Sequence, residues 1–322
     1  MTAPSTPDQA AGQEPALSQE PAVGQEPAAG QEPADDAPVA LITGAARGLG
    51  AAVARALDAA GYRLVLVDIA VDSAGLETRP AVDENAGSPP DADPADAPGP
   101  AAGDRMRPYP FATRAQLDET AAGCRAAVAV RADVRSQAEL DAAVRLALDR
   151  FGRLDAVVAA AGVIAGGPPG WETDDDAWRL LIDVNLTGVL TTARATIPAL
   201  LRAPAGRFVA VSSAAGTRPL ARLAAYAASK HGVIGLVRSI AADLAGTTVT
   251  ANVVCPGSMD TTMLAETATV YGLTDPGEFA QHAYLRRLLD PTEVAAAAAF
   301  LCSPAAGGLT GAVIPVDGGF TG

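Results

Sequence analysis

The residues best suited to proton transfer lie between Ser212 and Lys230. Tyr226 and Lys230 are four residues apart, so on a helix their side chains share one face. A phenol with a pKa of about 10 is a poor acid or base at neutral pH, but a neighbouring ammonium stabilises the phenolate and lowers that pKa. Ser213 ends an apolar strand pattern and could hold the reacting oxygen. The same spacing also fits a helix with two surface residues, so the surrounding elements must decide.

A glycine-rich turn precedes the first predicted helix. The run PVALITG, the helix pattern AARGLGAAVARALDAAGY and the second strand YRLVLVD predict one βαβ unit. Gly44, Gly48 and Gly50 allow a tight turn and let helix N-terminal amides approach a pyrophosphate. Asp68 closes the second strand, where a carboxylate accepts hydrogen bonds from ribose hydroxyls and repels a 2′-phosphate, which favours NAD over NADP. An aspartate that only caps a turn is the alternative.

Charge and composition restrict the classes of function. The chain has 322 residues, 49% of them hydrophobic, and a formal net charge of −14. Residues 1–37 and 71–104 each contribute −7, since they hold seven carboxylates without a cation and eight carboxylates with Arg79 alone. The rest is formally neutral, so we expect no nucleic-acid partner. We also expect no signal peptide, membrane span, disulfide framework or metal site, and a cytoplasmic protein.

The pattern along the chain predicts a tail and one catalytic domain. Residues 1–37 repeat QEP every six residues and are predicted to be a disordered acidic tail, for which partner binding is an alternative. Residues 38–322 alternate strands with helices and predict an α/β domain, a Rossmann-type doubly wound parallel sheet of about seven strands with helices on both faces. An insertion at about 70–126 and a substrate lid at about 258–286 interrupt this alternation.

The ordered set of motifs resembles the short-chain dehydrogenase/reductase family from Val39 to Phe320. The family's cofactor turn is resembled by TGAARGLG. Its catalytic segments are resembled by DVNLTG, VSS and YAASK, and the segment that contacts the nicotinamide is resembled by PGSMDT. The resemblance implies oxidation of an alcohol or reduction of a carbonyl by hydride transfer to or from the nicotinamide of NAD, with Tyr226 as acid/base. The implied catalytic residues are Asn185, which anchors water, Ser213, Tyr226 and Lys230. The implied cofactor-binding residues are Gly44, Arg47, Gly48, Leu49, Gly50, Asp68, Ile69, Asp133, Val134, Ala160, Ala161, Gly162, Tyr226, Lys230, Pro256, Gly257, Met259 and Thr261.

One segment departs from the family pattern. The family usually shows Asn-Asn-Ala-Gly after its fourth strand, and this chain has Ala159, Ala160, Ala161 and Gly162. The side chains that brace the neighbouring strands there are missing, which weakens the assignment of Ala160.

The insertion and the segments VAAAGVIAGGPPGWET and YGLTDPGEFAQH are similar to a subgroup described as mycofactocin-dependent. That resemblance implies NAD held without ready exchange and mycofactocin as electron carrier. The resemblance to the wider short-chain dehydrogenase/reductase family implies a homotetramer. Small and apolar residues favour a hydrophobic secondary alcohol or its carbonyl as substrate. An ordinary family member with freely exchanging NAD(H) and a non-catalytic dinucleotide sensor or scaffold are the alternatives.

Overall fold

The structure is a computed structural model that describes residues 36–71 and 109–320. Residues 1–35, most of the predicted acidic tail, and residues 72–108 of the predicted insertion lie outside the described residues. Within the described part, no helix has both the length and the apolar character to cross a membrane.

Seven strands of the described chain form one parallel sheet in the order β3-β2-β1-β4-β5-β6-β7. The strands are β1 (Val39–Thr43), β2 (Arg63–Asp68), β3 (Ala127–Arg131), β4 (Ala156–Ala159), β5 (Arg207–Val211), β6 (Thr250–Pro256) and β7 (Val313–Val316). The helices are α1 (Gly48–Ala59), α2 (Arg114–Ala122), α3 (Gln137–Phe151), α4 (Asp175–Ile182), α5 (Gly188–Leu200), α6 (Ala224–Asp243), α7 (Thr262–Tyr271) and α8 (Pro291–Cys302). The predicted fold class is confirmed.

The strands are apolar on both faces because helices cover both. In β1, Val39 and Leu41 belong to one core cluster with residues of α3, α5 and α6. Ala40 and Ile42 point the other way, into a second cluster with residues of α1, α2 and α8. The sequence of this central strand is therefore a continuous apolar run and does not alternate between apolar and polar residues. This is expected for a parallel sheet between two helical layers.

Helix α2 connects β2 to β3. It begins at Thr113 with a capping box, in which the Thr113 side chain accepts from Gln116 N–H and the Gln116 side chain accepts from Thr113 N–H. Its Leu117 is fully buried in the second cluster. The C-terminal part of the predicted 70–126 insertion is thus the regular crossover helix of the fold.

The helix predicted to carry Asn185 contains a local irregularity. Helix α4 ends at Ile182, a single π-helical turn covers Asp183–Thr187, and α5 continues from Gly188. π-Turns of this kind occur frequently at functional sites. Here the turn displaces Asn185 from the position that an unbroken α-helix would give it.

Candidate active site

A cleft runs along the carboxyl ends of the strands, beside the junction of β1 and β4. The chain leaves these two neighbouring strands toward opposite sides of the sheet, and ligands of doubly wound folds bind at such a switch point. The cleft holds a cavity of about 420 Å³. Every predicted cofactor-binding residue lines this cavity, and so does Ser213. Asn185 does not.

The glycine turn connects β1 to α1 at one end of the cavity. Gly44 has φ +70°, and an added Cβ would lie 2.7 Å from the Ala161 backbone. A Cβ on Gly50 would lie 2.0 Å from the Gly44 carbonyl oxygen, so neither position tolerates a side chain. Helix α1 has no side-chain cap at Arg47 and no acidic residue in its first turn. Its first amide groups and positive dipole end thus remain suited to an anion such as a pyrophosphate.

Asp68 lies at the end of β2 beside this turn. Its Oδ2 accepts a hydrogen bond from Ala46 N–H at 3.0 Å, and its Oδ1 accepts from Ala70 N–H at 3.3 Å. Burial raises the pKa of this carboxyl, while the backbone hydrogen bonds and Arg47 act in the opposite direction. Asp68 thus organises the turn and also borders the cavity, while its binding of a ribose stays a prediction.

Asp133 follows β3 and lines the same end of the cavity. The Arg135 guanidinium donates to both carboxylate oxygens, at 2.9 Å to Oδ2 from Nε. Burial raises the pKa of Asp133, but the hydrogen bonds from Arg135 outweigh it and hold the pKa below its usual value. Arg135 itself lines the cavity, and the sequence prediction did not include it.

Tyr226 and Lys230 lie on one face of α6, as their spacing predicts, and both are buried. Burial raises the pKa of Tyr226 to about 12, and a hydrogen bond with the Ser213 side chain lowers it only in part. The effect of Lys230 on this pKa stays a prediction. The phenol is a proton donor at neutral pH, and its hydroxyl points to Met263 Sδ at 3.9 Å.

The Lys230 ammonium lies below the tyrosine ring. Its Nζ is 5.7 Å from the centroid of the Tyr226 ring and donates to the Val211 carbonyl at 3.1 Å. Burial lowers the pKa of Lys230 to about 8, because a dry environment disfavours the charged form. Ser212 holds this turn of α6 through a 2.8 Å hydrogen bond to the Lys230 carbonyl.

The Asn185 side chain has a structural role, while its predicted anchoring of water in a proton relay stays a prediction. Its Oδ1 accepts from Val163 N–H at 2.8 Å, and its Nδ2 donates to the Val163 carbonyl at 3.0 Å and to Ser229 Oγ at 3.1 Å. The fully buried amide thus joins the segment after β4 to α6, one residue before Lys230. It acts by positioning the helix that carries Tyr226.

Comparisons with known proteins agree with this geometry. A family model described as enoyl-(acyl carrier protein) reductase matches residues 110–321. An uncharacterized oxidoreductase of Mycobacterium tuberculosis is 38% identical over 300 residues, which cover 88% of this chain and 96% of that protein. A (-)-trans-carveol dehydrogenase of Rhodococcus erythropolis is 34% identical over 303 residues, covering 89% of this chain and 98% of that protein. The chain belongs to the short-chain dehydrogenase/reductase family.

A solved structure of the same family shares the fold. The crystal structure of carveol dehydrogenase from Mycobacterium avium in complex with NAD superposes with a TM-score of 0.73 at 31% identity. The match covers 88% of this chain and 96% of that chain. The likeness extends over most of the chain and not only over the glycine turn.

Thr43 braces the segment in which this chain departs from the family pattern. Its Oγ1 accepts from Ala160 N–H at 3.2 Å and from Ala161 N–H at 3.3 Å. Because Thr43 and Ala159 are register partners at the ends of β1 and β4, the hydroxyl lies directly beside both amides. The strand ends are therefore held together without the family's asparagine side chains.

The segment that returns from the insertion closes the cavity at the glycine turn. Arg47 donates from Nη2 to the Pro110 carbonyl, and its guanidinium lies 5.7 Å from the centroid of the Tyr109 ring. Tyr109 packs edge-on against Phe111 with centroids 6.1 Å apart. These two aromatic residues line the cavity and were missed by the sequence prediction, because their distance along the chain from Arg47 hides the contact. The aromatic cluster YPF after a polar stretch is the signal that could have revealed them.

The other end of the cavity is enclosed by apolar side chains from the predicted lid. Helix α7 contributes Met263, Leu264 and Tyr271, and the 3-10 segment Pro276–His282 contributes Phe279 and His282. Phe320 completes this wall, with His282 between it and Phe279 at centroid distances of 6.4 Å. The surface that faces Tyr226 is thus suited to an uncharged, hydrophobic molecule.

Proposed function

We propose that the protein is an NAD-dependent oxidoreductase that interconverts a hydrophobic secondary alcohol and its carbonyl. The observation that carries the proposal is one continuous cavity with the glycine turn at one end, an apolar lid at the other, and Ser213, Tyr226 and Lys230 between them. The carveol dehydrogenases among its relatives act on an alcohol of this class.

NAD is the cofactor that the lining residues fit. The uncapped N-terminus of α1 suits the pyrophosphate, and the Asp68 carboxylate suits an unphosphorylated ribose because it would repel a 2′-phosphate. A Cβ on Gly162 would lie 3.4 Å from Lys230 Nζ, so the lysine reaches the strand end where the nicotinamide ribose belongs. When bound, the cofactor supplies the acceptor or donor of the hydride.

The side chains of the protein hold and transfer the proton of the reaction. Tyr226, with its pKa of about 12, holds a proton at neutral pH and donates it to a carbonyl oxygen during reduction. Ser213 fixes that oxygen through its hydroxyl. During alcohol oxidation the phenolate must form, and the Lys230 ammonium and the Ser213 hydrogen bond are the groups that stabilise it. The apolar lid excludes water from the reacting atoms.

Replacing Tyr226 with phenylalanine tests the proposed chemistry. We expect Tyr226→Phe to lower turnover of a hydrophobic secondary alcohol by at least about a hundredfold, because only the transferable proton is lost. Bound NAD, measured in the supernatant after denaturation, stays at the wild-type amount. Tyr284→Phe is the matched control, since Tyr284 is 78% exposed and does not line the cavity. Near-normal alcohol oxidation by Tyr226→Phe would refute the assignment.

We further propose that NAD is held without free exchange and is regenerated in place by mycofactocin. The support for retention is the contact of Arg47 with Pro110 and the Tyr109 ring, which places the returning segment against the edge of the cofactor end. The cytoplasmic location stays a prediction from the sequence composition, and the tetrameric assembly stays a prediction from the family resemblance.

Retention is tested by release and turnover together. We expect stoichiometric NAD in the supernatant of denatured, extensively dialysed wild-type protein, and faster turnover with an artificial electron acceptor than with added NAD. Tyr109→Ala removes the ring that Arg47 contacts and should lose NAD on dialysis, while Tyr109→Phe keeps the ring and retains it. Rapid turnover of the wild type on added NAD alone would instead establish ordinary exchange.

A further inference from the structure

The lid helix α7 ends in a partly buried hydrogen bond that the proposed chemistry does not use. Tyr271, its last residue, is 9% exposed, and its hydroxyl donates to the Ala221 carbonyl at 2.7 Å. Its ring packs edge-on against Phe279 with centroids 6.0 Å apart and an interplanar angle of 70°. A buried tyrosine hydroxyl needs a partner, and this one finds it on a different segment of the chain.

The segment that accepts this hydrogen bond is held firmly. Arg222, next to Ala221, has φ +61°, which is uncommon for a residue with a side chain. Its carbonyl accepts from Gly167 N–H at 3.0 Å. A Cβ on Gly166 would lie only 2.3 Å from that carbonyl oxygen, so the loop after β4 packs directly against the segment. Tyr271 is therefore anchored to a fixed point.

The same segment leads to the catalytic helix. Leu223, two residues after Ala221, is 1% exposed, and α6 begins at the next residue. The anchor of Tyr271 thus lies five residues before Tyr226 in the sequence. A displacement of the C-terminal end of α7 would therefore act on a segment that is only five residues from Tyr226.

The N-terminal end of α7 reaches Tyr226 directly. Met263 Sδ accepts from the Tyr226 hydroxyl at 3.9 Å, and Met263 is eight residues before Tyr271. Eight residues of helix span about 12 Å. Helix α7 therefore crosses the substrate end of the cavity, with Met263 beside the Tyr226 hydroxyl and Tyr271 at the opposite end of the helix.

We propose that Tyr271 is a positioning residue whose hydrogen bond to Ala221 latches the lid helix closed over the alcohol substrate. The inference rests on the proposed function and adds to it the residue that sets substrate affinity. Tyr271 does not touch the reacting atoms; it holds α7, and α7 holds the apolar wall against the substrate. Since burial raises the pKa of Tyr271, the hydroxyl stays a donor throughout the working pH range.

The latch is tested with Tyr271→Phe, which removes only the hydroxyl and keeps the packing against Phe279. We expect KM for a hydrophobic secondary alcohol to rise about threefold to tenfold, because the closed state loses one partly buried hydrogen bond. We expect kcat to stay within about twofold and the amount of bound NAD to be unchanged. Tyr284→Phe, exposed and outside the cavity, should leave KM unaltered. A role limited to stability would lower the melting temperature without raising KM.

Hydrogen exchange of residues 262–271 provides the second measurement, and it needs no substrate. We expect these amides to exchange faster in Tyr271→Phe than in the wild type, while the amides of β5 and β6 stay protected. Unchanged exchange in α7, or an unchanged KM in a variant that turns over alcohol, overturns the latch. If the wild type oxidises no alcohol and reduces no carbonyl, the proposed function fails, and the exchange data still decide whether the helix is latched.

Discussion

At the scale of single residues, the site depends on side chains whose partners are remote in sequence. Thr43 and Ala160 are 117 residues apart, yet one hydroxyl accepts from two consecutive amides of the neighbouring strand end. A threonine at the end of a buried strand is common, so its type alone does not predict this role.

Thr43→Val measures what this brace contributes. Valine has nearly the same shape, but it leaves the Ala160 and Ala161 amides without this acceptor, so we expect a loss of about 1–3 kcal/mol in the free energy of unfolding. NAD affinity should fall as well, because these residues line the cavity. Urea denaturation and NAD titration provide the measurements.

Thr196→Val is the control for this prediction. Thr196 is equally buried, but its hydroxyl donates at 2.7 Å to the Thr192 carbonyl four residues earlier in its own helix. Loss of such a local bond has little effect on stability. Equal destabilisation by the two variants would show that Thr43 has no special bracing role.

At the scale of elements, the helix and strand assignments follow from local patterns, while the irregular points do not. The capping box at Thr113 and the apolar periodicity of α2 are visible in the sequence, although the acidic stretch before them suggested an insertion up to residue 126. The π-turn at Asp183–Thr187 has no such signal. It arises where the Asn185 amide must meet both Val163 and Ser229, and these contacts exist only after the sheet and α6 have packed.

At the scale of the whole molecule, the two ends of the sheet have different tasks. The carboxyl ends of the strands carry the cavity, and Asp155 cross-links three strands at the amino ends. Asp155, just before β4, accepts from Val39 N–H at 2.9 Å and pairs with Arg153 at 2.7 Å. Its backbone bonds both Val39 and Arg207, so three central strands converge on one residue. Ala160, the first residue after β4 that lines the cavity, is five positions further along the chain, about 17 Å in an extended strand.

We therefore expect Asp155→Ala to lower stability without changing the chemistry. The loss of hydrogen bonds to a charged, buried carboxylate should reduce the free energy of unfolding by about 2 kcal/mol or more. The kcat/KM of the folded fraction, measured well below the melting temperature, should equal that of the wild type. Asp175→Asn, which disrupts only an exposed ion pair with Arg179, should change stability by no more than about 0.5 kcal/mol. A large loss of kcat/KM in folded Asp155→Ala would contradict the separation of tasks.

The sequence by itself determined the alternation of strands and helices, the glycine turn, and the common face of Tyr226 and Lys230. These features follow from apolar periodicity, from the steric demands of Gly44 and Gly50, and from helix geometry, which all act over short stretches of chain. Only the tertiary structure decided the pKa values of Tyr226 and Lys230, because burial between α6 and β5 shifts each away from the charged form. It also decided the contacts of Tyr109 with Arg47 and of Tyr271 with Ala221, since each joins segments that meet only when the sheet is assembled.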